Sequence, residues 1–357
     1  MRNLRKPLPQ QSHHFKCGKP QEIVRDGVGK VDQQRDLSGN VKFTIKDNVL
    51  ALTSPDQFKT VSSAVYNGGA KKVKHVLNIG VPPGYSDVAL HMDPMQLITM
   101  SANKIDVSDD YLAMVTAANV HNFSLVTQTT EEFTVAVAAT AGCSHGESSG
   151  ETITVEEILG TINIIVYIDA SPLQSCMVAA LITATEAKSA ALHDFDVRSR
   201  YTGDLATGSI TDSVTVAATG KGTPIVLGGP ASVLGQVVGR CTRQAVTEAL
   251  LRQESVWGQR SVFDRLKERH LPVEKLAAEV SKIEGLAVSA EELTEILRKN
   301  PVALASLLAA AKMDDDYKKN LLPADFQNWS QIAGKANDAA ELPPFIKEAL
   351  IKILKHA

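Results

Sequence analysis

Glu186 and Lys188 stand two apart inside an Ala-rich stretch, residues 173–192, that contains no Gly or Pro. Such a stretch predicts a helix, and a charge buried in a helix face is costly unless paired. Helical geometry points the two side chains about 200° apart, so one faces the site and the other a helix end or solvent. Asp212 follows a Gly-containing turn and enters an apolar run. It could orient a base, bind a substrate amide or cap the turn. His75 is a candidate general base with a useful pKa, or an ordinary strand histidine. Asn67-Gly68-Gly69 can present side-chain and backbone donors in a tight turn, which suits an oxyanion or a plain hairpin equally. Cys143, His145 and Glu147 alternate and are metal-ligand types. Gly142, Gly146, Ser148, Ser149 and Gly150 make that stretch read as a loop, and no metal site is assigned.

The elements that must position these residues centre on 160–212. Residues 162–168 form a β-branched run broken only by Asn163 and Tyr167, the pattern of a strand buried on both faces. The helix over 173–192 follows, rich in small residues that suit close packing on a flat surface. Residues 203–208 read as a loop and 214–218 as a second buried strand. This order puts Thr161, Glu186, Lys188, Thr207 and Asp212 at element ends or on one helix face, where sites collect. Upstream, 41–53 reads as a hairpin, and 61–66 and 73–81 as strands around the Asn67 turn, the second carrying His75 and Asn78. Asp93-Pro94 caps a helix running to about 102. Residues 111–118, 122–127 and 131–140 read as a three-strand meander, and 155–159 as a short helical turn. A strand at 224–227 precedes a helix over 232–252.

These residues also carry a resemblance. Gly-Thr-Ile-Asn-Ile-Ile from Gly160, Thr-Ala-Thr-Glu-Ala-Lys from Thr183 and Ala-Thr-Gly-x-x-Thr-Asp from Ala206 resemble the adenosylcobinamide amidohydrolase family. Asn67-Gly68-Gly69, His75-Val76-Leu77-Asn78, Thr116-Ala117-Ala118 and Ala139-Thr140-Ala141-Gly142 fit it in the same order. The resemblance spans about 40–254. It implies hydrolysis of the amide joining the aminopropanol arm to the corrinoid ring, giving adenosylcobyric acid for salvage into coenzyme B12. A corrinoid is the implied small-molecule partner, and no cofactor is called for. Cys143–Gly150 and Ser209-Ile210 depart from the family pattern.

An amide hydrolase needs a nucleophile or activated water, a base, and donors for the oxyanion. Gly160-Thr161 before a buried strand, with Asp169 and Pro172-Leu173 behind it, is similar to the cut site of self-cleaving aminopeptidases and ornithine acetyltransferases. There the residue after the cut is both N-terminal amine and nucleophile. The catalytic candidates are therefore Thr161, Glu186, Asp212 and His75. The substrate-binding candidates are Asn67, Gly68, Asn78, Asn163, Lys188 and Thr207.

Bulk properties limit the alternatives. The chain has 357 residues, 44 % hydrophobic and 22 % charged, ordinary for a soluble globular protein. A net charge of −3 gives no electrostatic case for nucleic acid. No apolar run reaches the roughly 18 residues a membrane span needs, and the start has no apolar core of a secretory signal. Four cysteines without CxxC spacing point to reduced thiols and a cytoplasmic setting. The expected fold is α+β: mostly antiparallel sheets covered by helices, with an α/β/β/α sandwich favoured by element order. Residues 1–40 read as a polar arm, 41–254 as the amidohydrolase-like domain, and 255–357 as an all-helical appendage. The appendage is expected to serve docking or homo-oligomerisation and to be dispensable for catalysis.

Overall fold

The computed structural model describes residues 34–37, 40–82, 93–144, 146–152, 160–322 and 340–356. The helical turn expected over 155–159, part of the expected all-helical appendage and His145 lie outside them. So does the expected arm up to residue 33. Its end departs from expectation, because Gln34–Asp36 is a strand, β1, paired antiparallel with β2 (Lys42–Lys46).

One nine-stranded sheet is folded into two facing layers. Its other strands are β3 (Val49–Ser62), β4 (Gly69–Gly80), β5 (Tyr111–Thr116), β6 (Ser124–Thr129), β7 (Thr134–Ala141), β8 (Ile162–Asp169) and β9 (Ser213–Ala218). The fold hinges on β3. Ser54-Pro55-Asp56-Gln57 reads as a break between two strands, yet β3 passes through it with a register shift between Thr53 and Phe58. A bulge tolerates proline because the displaced residue owes no ladder hydrogen bond. Beyond the bend the strand changes neighbours. Along one edge its first half pairs with β2 and its second half with β9, while β4 follows it along the other.

Period-two burial then sorts side chains into three apolar layers. Phe43, Leu50, Leu52, Val76, Leu112 and Met114 of one layer meet Ala136, Ala138, Ile165, Tyr167 and Ala217 of the other. On the outer face of the first layer Val49, Ala51, Leu77 and Ile79 pack under α1 (Pro94–Lys104). The Asp93 carboxylate caps α1 by accepting from the Met95 amide, as the sequence suggests. On the outer face of the second layer Ile162, Ile164, Val166 and Ile168 pack under α2 (Gln174–Asp194) and α3 (Val233–Gln253). The order is helix, sheet, sheet, helices: an α+β fold with the expected α/β/β/α layering. The three-strand meander is corrected: β5 pairs with β4 in the first layer, and β6 and β7 form a hairpin in the second.

Within the nine-stranded sheet two pairings are parallel, β4 with β5 and β8 with β9. The second sets the site. Parallel strands need a crossover, which α2 supplies, and their N-terminal ends lie side by side. Gly160-Thr161 and Thr211-Asp212 therefore meet at one edge of the second layer.

The C-terminal residues form a helical module with its own core. Its helices are α4 (Val262–Lys267), α5 (Val273–Val280), α6 (Ala290–Lys299), α7 (Pro301–Lys318) and α8 (Pro344–Lys355). Leu266, Leu276, Leu293, Leu297, Leu307 and Leu350 fill the core. A capping box of Ser289 and Glu292 opens α6. The Asp314 carboxylate of α7 accepts from the Phe345 and Ile346 amides, capping α8 from a neighbouring helix.

Candidate active site

Thr161 and Asp212 share one polar cluster at the N-terminal ends of β8 and β9. Four donors converge on the Asp212 carboxylate. Oδ1 accepts from the Ile162 amide at 2.9 Å and the Ser209 hydroxyl at 2.5 Å. Oδ2 accepts from Lys188 Nζ at 2.5 Å and the Ser209 amide at 3.1 Å. Lys188 is buried, so the ion pair is screened from water on both sides. A side chain at Gly208 would displace the ion pair, because a Cβ there would sit 2.4 Å from Asp212 Oδ2 and 2.6 Å from Lys188 Nζ.

Thr161 is 2 % exposed. Its Oγ1 lies 2.8 Å from the carbonyl oxygen of Gly160 and 2.8 Å from Thr211 Oγ1. Ser209 Oγ approaches the same Gly160 carbonyl at 3.4 Å. Gly160 sits at φ +97°, and a Cβ on it would meet the Gly142 carbonyl oxygen at 2.6 Å. Only glycine fits both the left-handed backbone and the close pass of β7 against the start of β8. The Gly160–Thr161 peptide is thus held with a hydroxyl against its carbonyl on each side.

One layer inward the polar character continues. Asn163 Nδ2 donates to Asn78 Oδ1 at 2.8 Å and to the Val115 carbonyl, and Asn78 Nδ2 donates to Thr140 Oγ1 at 2.9 Å. All three are about 1 % exposed, and the buried Asn163 Oδ1 has no hydrogen-bond partner among the described residues. Asn78 and Asn163 therefore stand behind Thr161, facing the inter-sheet space.

The loop 146–151 closes the other side. Its Gly146 and Glu147 pair antiparallel with Ser209 and Gly208. Thr207 braces it, since its amide donates to the Glu147 carbonyl and its hydroxyl accepts from the Ser149 amide. Burial, with Asp212 and Glu151 adding repulsion, pushes the Glu147 carboxyl above its ordinary range, and its Oε2 has no partner among the described residues. Burial likewise raises the Cys143 thiol, further raised by Asp212. Among the described residues no group of three or more His, Cys, Asp or Glu side chains could hold a metal ion.

Four expected site residues are not brought here. His75 has the parity of Leu77 and Ile79, so it faces the α1 side of the first layer, where its Nδ1 meets Thr53 Oγ1 at 3.2 Å. Asn78, three residues on, has the opposite parity and reaches the inter-sheet space. Burial and neighbouring Lys74 lower the His75 pKa, a trait of that outer face. Glu186 is exposed. Of the helix pair, Lys188 faces the site and Glu186 solvent, the geometry that two-residue spacing requires. Asn67 adopts φ +52° and donates to the Tyr111 carbonyl at 2.9 Å, so its side chain ties β5 to the turn. Gly68 has no room for a side chain, because a Cβ would lie 2.3 Å from the Ala64 carbonyl oxygen. Ser209, Thr211 and Glu147 are the members that sequence reading missed as catalytic candidates. The signal was present for Ser209, whose departure from the family pattern falls within the Asp212 turn.

The sequence pattern of the family described as "Adenosylcobinamide amidohydrolase" matches residues 34–257. An uncharacterized protein of Methanocaldococcus jannaschii is 29 % identical over 249 residues, 64 % of this chain and 94 % of that one. A Methanosarcina mazei protein named adenosylcobinamide amidohydrolase is 29 % identical over 152 residues, 43 % of this chain and 68 % of that one. Among solved structures, a Burkholderia β-aminopeptidase overlaps 64 % of this chain and 84 % of its own, at 10 % identity and a TM-score of 0.33. That overlap is too loose to assign a role to any residue. The family match covers more than half of the chain, across both sheet layers and the whole Thr161–Lys188–Asp212 cluster, and the chain belongs to the adenosylcobinamide amidohydrolase family, enzymes that act on an amide bond.

Proposed function

We propose that the protein hydrolyses the amide between the corrinoid ring and its aminopropanol arm, releasing adenosylcobyric acid and aminopropanol for corrinoid salvage, with Thr161 as nucleophile. The observation that carries the assignment of Thr161 is the 2.8 Å contact of its hydroxyl with the Gly160 carbonyl, beside the Lys188–Asp212 pair. The hydroxyl oxygen attacks the amide carbon, its proton passes to the departing aminopropanol nitrogen, and an ester to Thr161 remains. Water then cleaves the ester to the corrinoid carboxylate and restores the hydroxyl.

That step needs a base, and the geometry favours one source. The two separate bases expected from sequence, His75 and Glu186, are on other faces. An amine freed at Thr161 would be within reach of its own hydroxyl. The Gly160–Thr161 peptide is arranged for that release. Attack of Thr161 Oγ1 on the Gly160 carbonyl carbon moves the acyl group from nitrogen to oxygen. Its proton goes to the Thr161 nitrogen, and water opens the ester to leave a Gly160 carboxylate and a free Thr161 amine. Ser209 Oγ lies 3.4 Å from the Gly160 carbonyl oxygen, and turning its single O–H away from Asp212 Oδ1 would let it donate to the oxyanion. In this reading Lys188 and Asp212 fix the start of β8, the Ser209 turn and the charge balance around the nucleophile.

Incubation with adenosylcobinamide and detection of adenosylcobyric acid tests the activity. Intact mass of the active protein tests the route: two fragments meeting at Gly160/Thr161 support release of the amine. A whole, active chain would reject that route and leave the hydroxyl with another base. The absence of corrinoid binding at high micromolar protein would end the substrate assignment.

A further inference from the structure

We infer that the helical module is a clamp that holds the two site loops in register, with Arg265, Arg269 and Asp315 as positioning residues acting through Asp196 and Arg198. The inference rests on reading the Lys188–Asp212 cluster as the site of amide hydrolysis. It replaces the expectation that the appendage is dispensable for catalysis.

Asp196 is the anchor. It sits just past α2 at φ +53°. Its Oδ1 accepts from Arg198 Nε and Nη2 at 2.9 and 2.6 Å and from Arg269 Nη2 at 2.9 Å. Its Oδ2 accepts from Arg265 Nε and Nη2 at 3.1 and 2.7 Å. Arg198 Nη1 in turn donates to Asp315 of α7 at 2.8 Å and to the Gly203 carbonyl at 3.3 Å. Arg260, stacked 4.6 Å from the Trp257 ring, donates to the Phe195 carbonyl. His270 Nε2 lies 3.0 Å from the Arg200 carbonyl oxygen. Residues of the module thus hold residues 195–203 at several points along their length.

That segment is seated on the second-layer core by Val197 and Phe195, and it passes its position directly to the site. The Arg200 amide donates to the Gly146 carbonyl at 3.0 Å. The Ser199 and Thr202 hydroxyls donate to the two oxygens of Glu151 at 2.6 and 2.7 Å. The loop so held carries Gly146-Glu147, which pairs with Gly208-Ser209, and Ser209 carries hydrogen bonds to Asp212 and to the Gly160 carbonyl. A second path starts where the module begins. The Cys143 and Ser144 amides, just after the Gly142 that packs on Gly160, face the Glu254 carboxylate at the end of α3 and favour its charged form.

A buried ionic network of this kind returns little net stability over apolar packing, because desolvation offsets attraction. What it does supply is geometry. Arg198 and Arg265 each grip one Asp196 oxygen with two N–H groups and Arg269 adds a further donor, so the carboxylate is held from several directions at once. Plain docking of two bodies would be served by an apolar face, which needs no such alignment.

The test uses the full chain with Arg265→Ala, Asp315→Asn and Arg265→Lys. Turnover and KM for adenosylcobinamide, melting temperature, and backbone hydrogen exchange are measured together. We expect kcat to fall about tenfold in Arg265→Ala and Asp315→Asn with KM within twofold, and Arg265→Lys to recover part of the loss. Exchange should quicken at 146–151 and 199–209 and stay unchanged in β8 and α2. Combined with Ser209→Ala, Arg265→Ala should cost less than the product of the two single losses. Folded variants that keep kcat within twofold, or losses that multiply independently, overturn the clamp. If the wild type turns over no cobinamide, the proposed function fails by itself and exchange decides the clamp: unchanged protection at 146–151 overturns it.

Discussion

Two clusters of buried charge, around Asp196 and around Asp212, are built on opposite terms. Around Asp196 guanidiniums of Arg198, Arg265 and Arg269 close on one carboxylate. Around Asp212 a lone lysine meets one carboxylate among hydroxyls, and a second carboxyl, Glu147, keeps a buried oxygen with no partner among the described residues. In the first cluster the carboxylate is saturated with guanidinium donors, and the buried atom left without a hydrogen bond among the described residues is a donor, Arg269 Nε. The second has polar capacity to spare, held beside a hydroxyl and a glycine carbonyl. Saturation suits a joint whose geometry must not change. Spare capacity suits a place where charge must develop and be answered, since an unpaired buried polar group is costly until something pairs with it.

The sharpest division between the clusters comes from Thr161→Ala. Hydrolysis should fall by orders of magnitude in a corrinoid turnover assay, while stability changes by only about 1 kcal/mol in denaturant unfolding. A variant hydrolysing at the normal rate would remove Thr161 from the chemistry. At the saturated cluster the balance should reverse. Asp196→Asn keeps volume but leaves buried guanidiniums short of charge, and stability should drop by about 3–5 kcal/mol, with turnover reduced about tenfold in the fraction that folds. Equal losses of rate and stability in both variants would erase the distinction.

The clusters should also titrate in opposite directions. Burial tends to raise Asp196, but its bonds to Arg265, Arg269 and Arg198 overcome that and hold it below the ordinary carboxylate range. Its contribution is present above the unfolded carboxylate pKa and is lost as pH falls through the folded value. Glu147 is raised. Its contribution is full below the unfolded value and is lost as pH rises through the folded one. Glu147→Gln cannot lose a proton, so its melting temperature should gain on the wild type as pH rises through and above the ordinary glutamate range. A difference that is flat across that range would make Glu147 an ordinary solvated carboxylate. The smallest effects belong to residues outside both clusters. His75→Ala and Glu186→Gln should keep turnover within about twofold, and a tenfold loss in either would redraw the site.

Much of this was legible in the chain, and the misses share a cause. The run at 162–168 reads as a buried strand because apolar side chains face two layers, and both layers are there. The pair Glu186 and Lys188 reads as one inward and one outward residue, but the count alone does not say which. That is decided by Asp212, which arrives from a strand far along the sequence. His75 and Asn78 looked equivalent on one strand, yet three-residue spacing puts them on opposite faces, and only the partner layers say which face matters. The break at Ser54–Gln57 reads as a loop because proline ends most strands, whereas here it marks the bend that makes two layers from one sheet. Cooperation between distant segments, such as Ser209 with Gly160, leaves no periodic trace.

The parallel pairing of β8 with β9 also sets a timetable. Thr161, Lys188, Ser209 and Asp212 all lie within one strand, crossover helix and strand. A chain made from its N-terminus completes this unit before any of the helices from Val262 onward leaves the ribosome, and domains fold as units in that order. On the proposed roles of Thr161 and of the clamp, the nascent chain passes through an interval with the site residues assembled and the loops not yet fastened. Synthesis of the last helices would end that interval, and the order of the genetic message would then act as a delay on the start of catalysis.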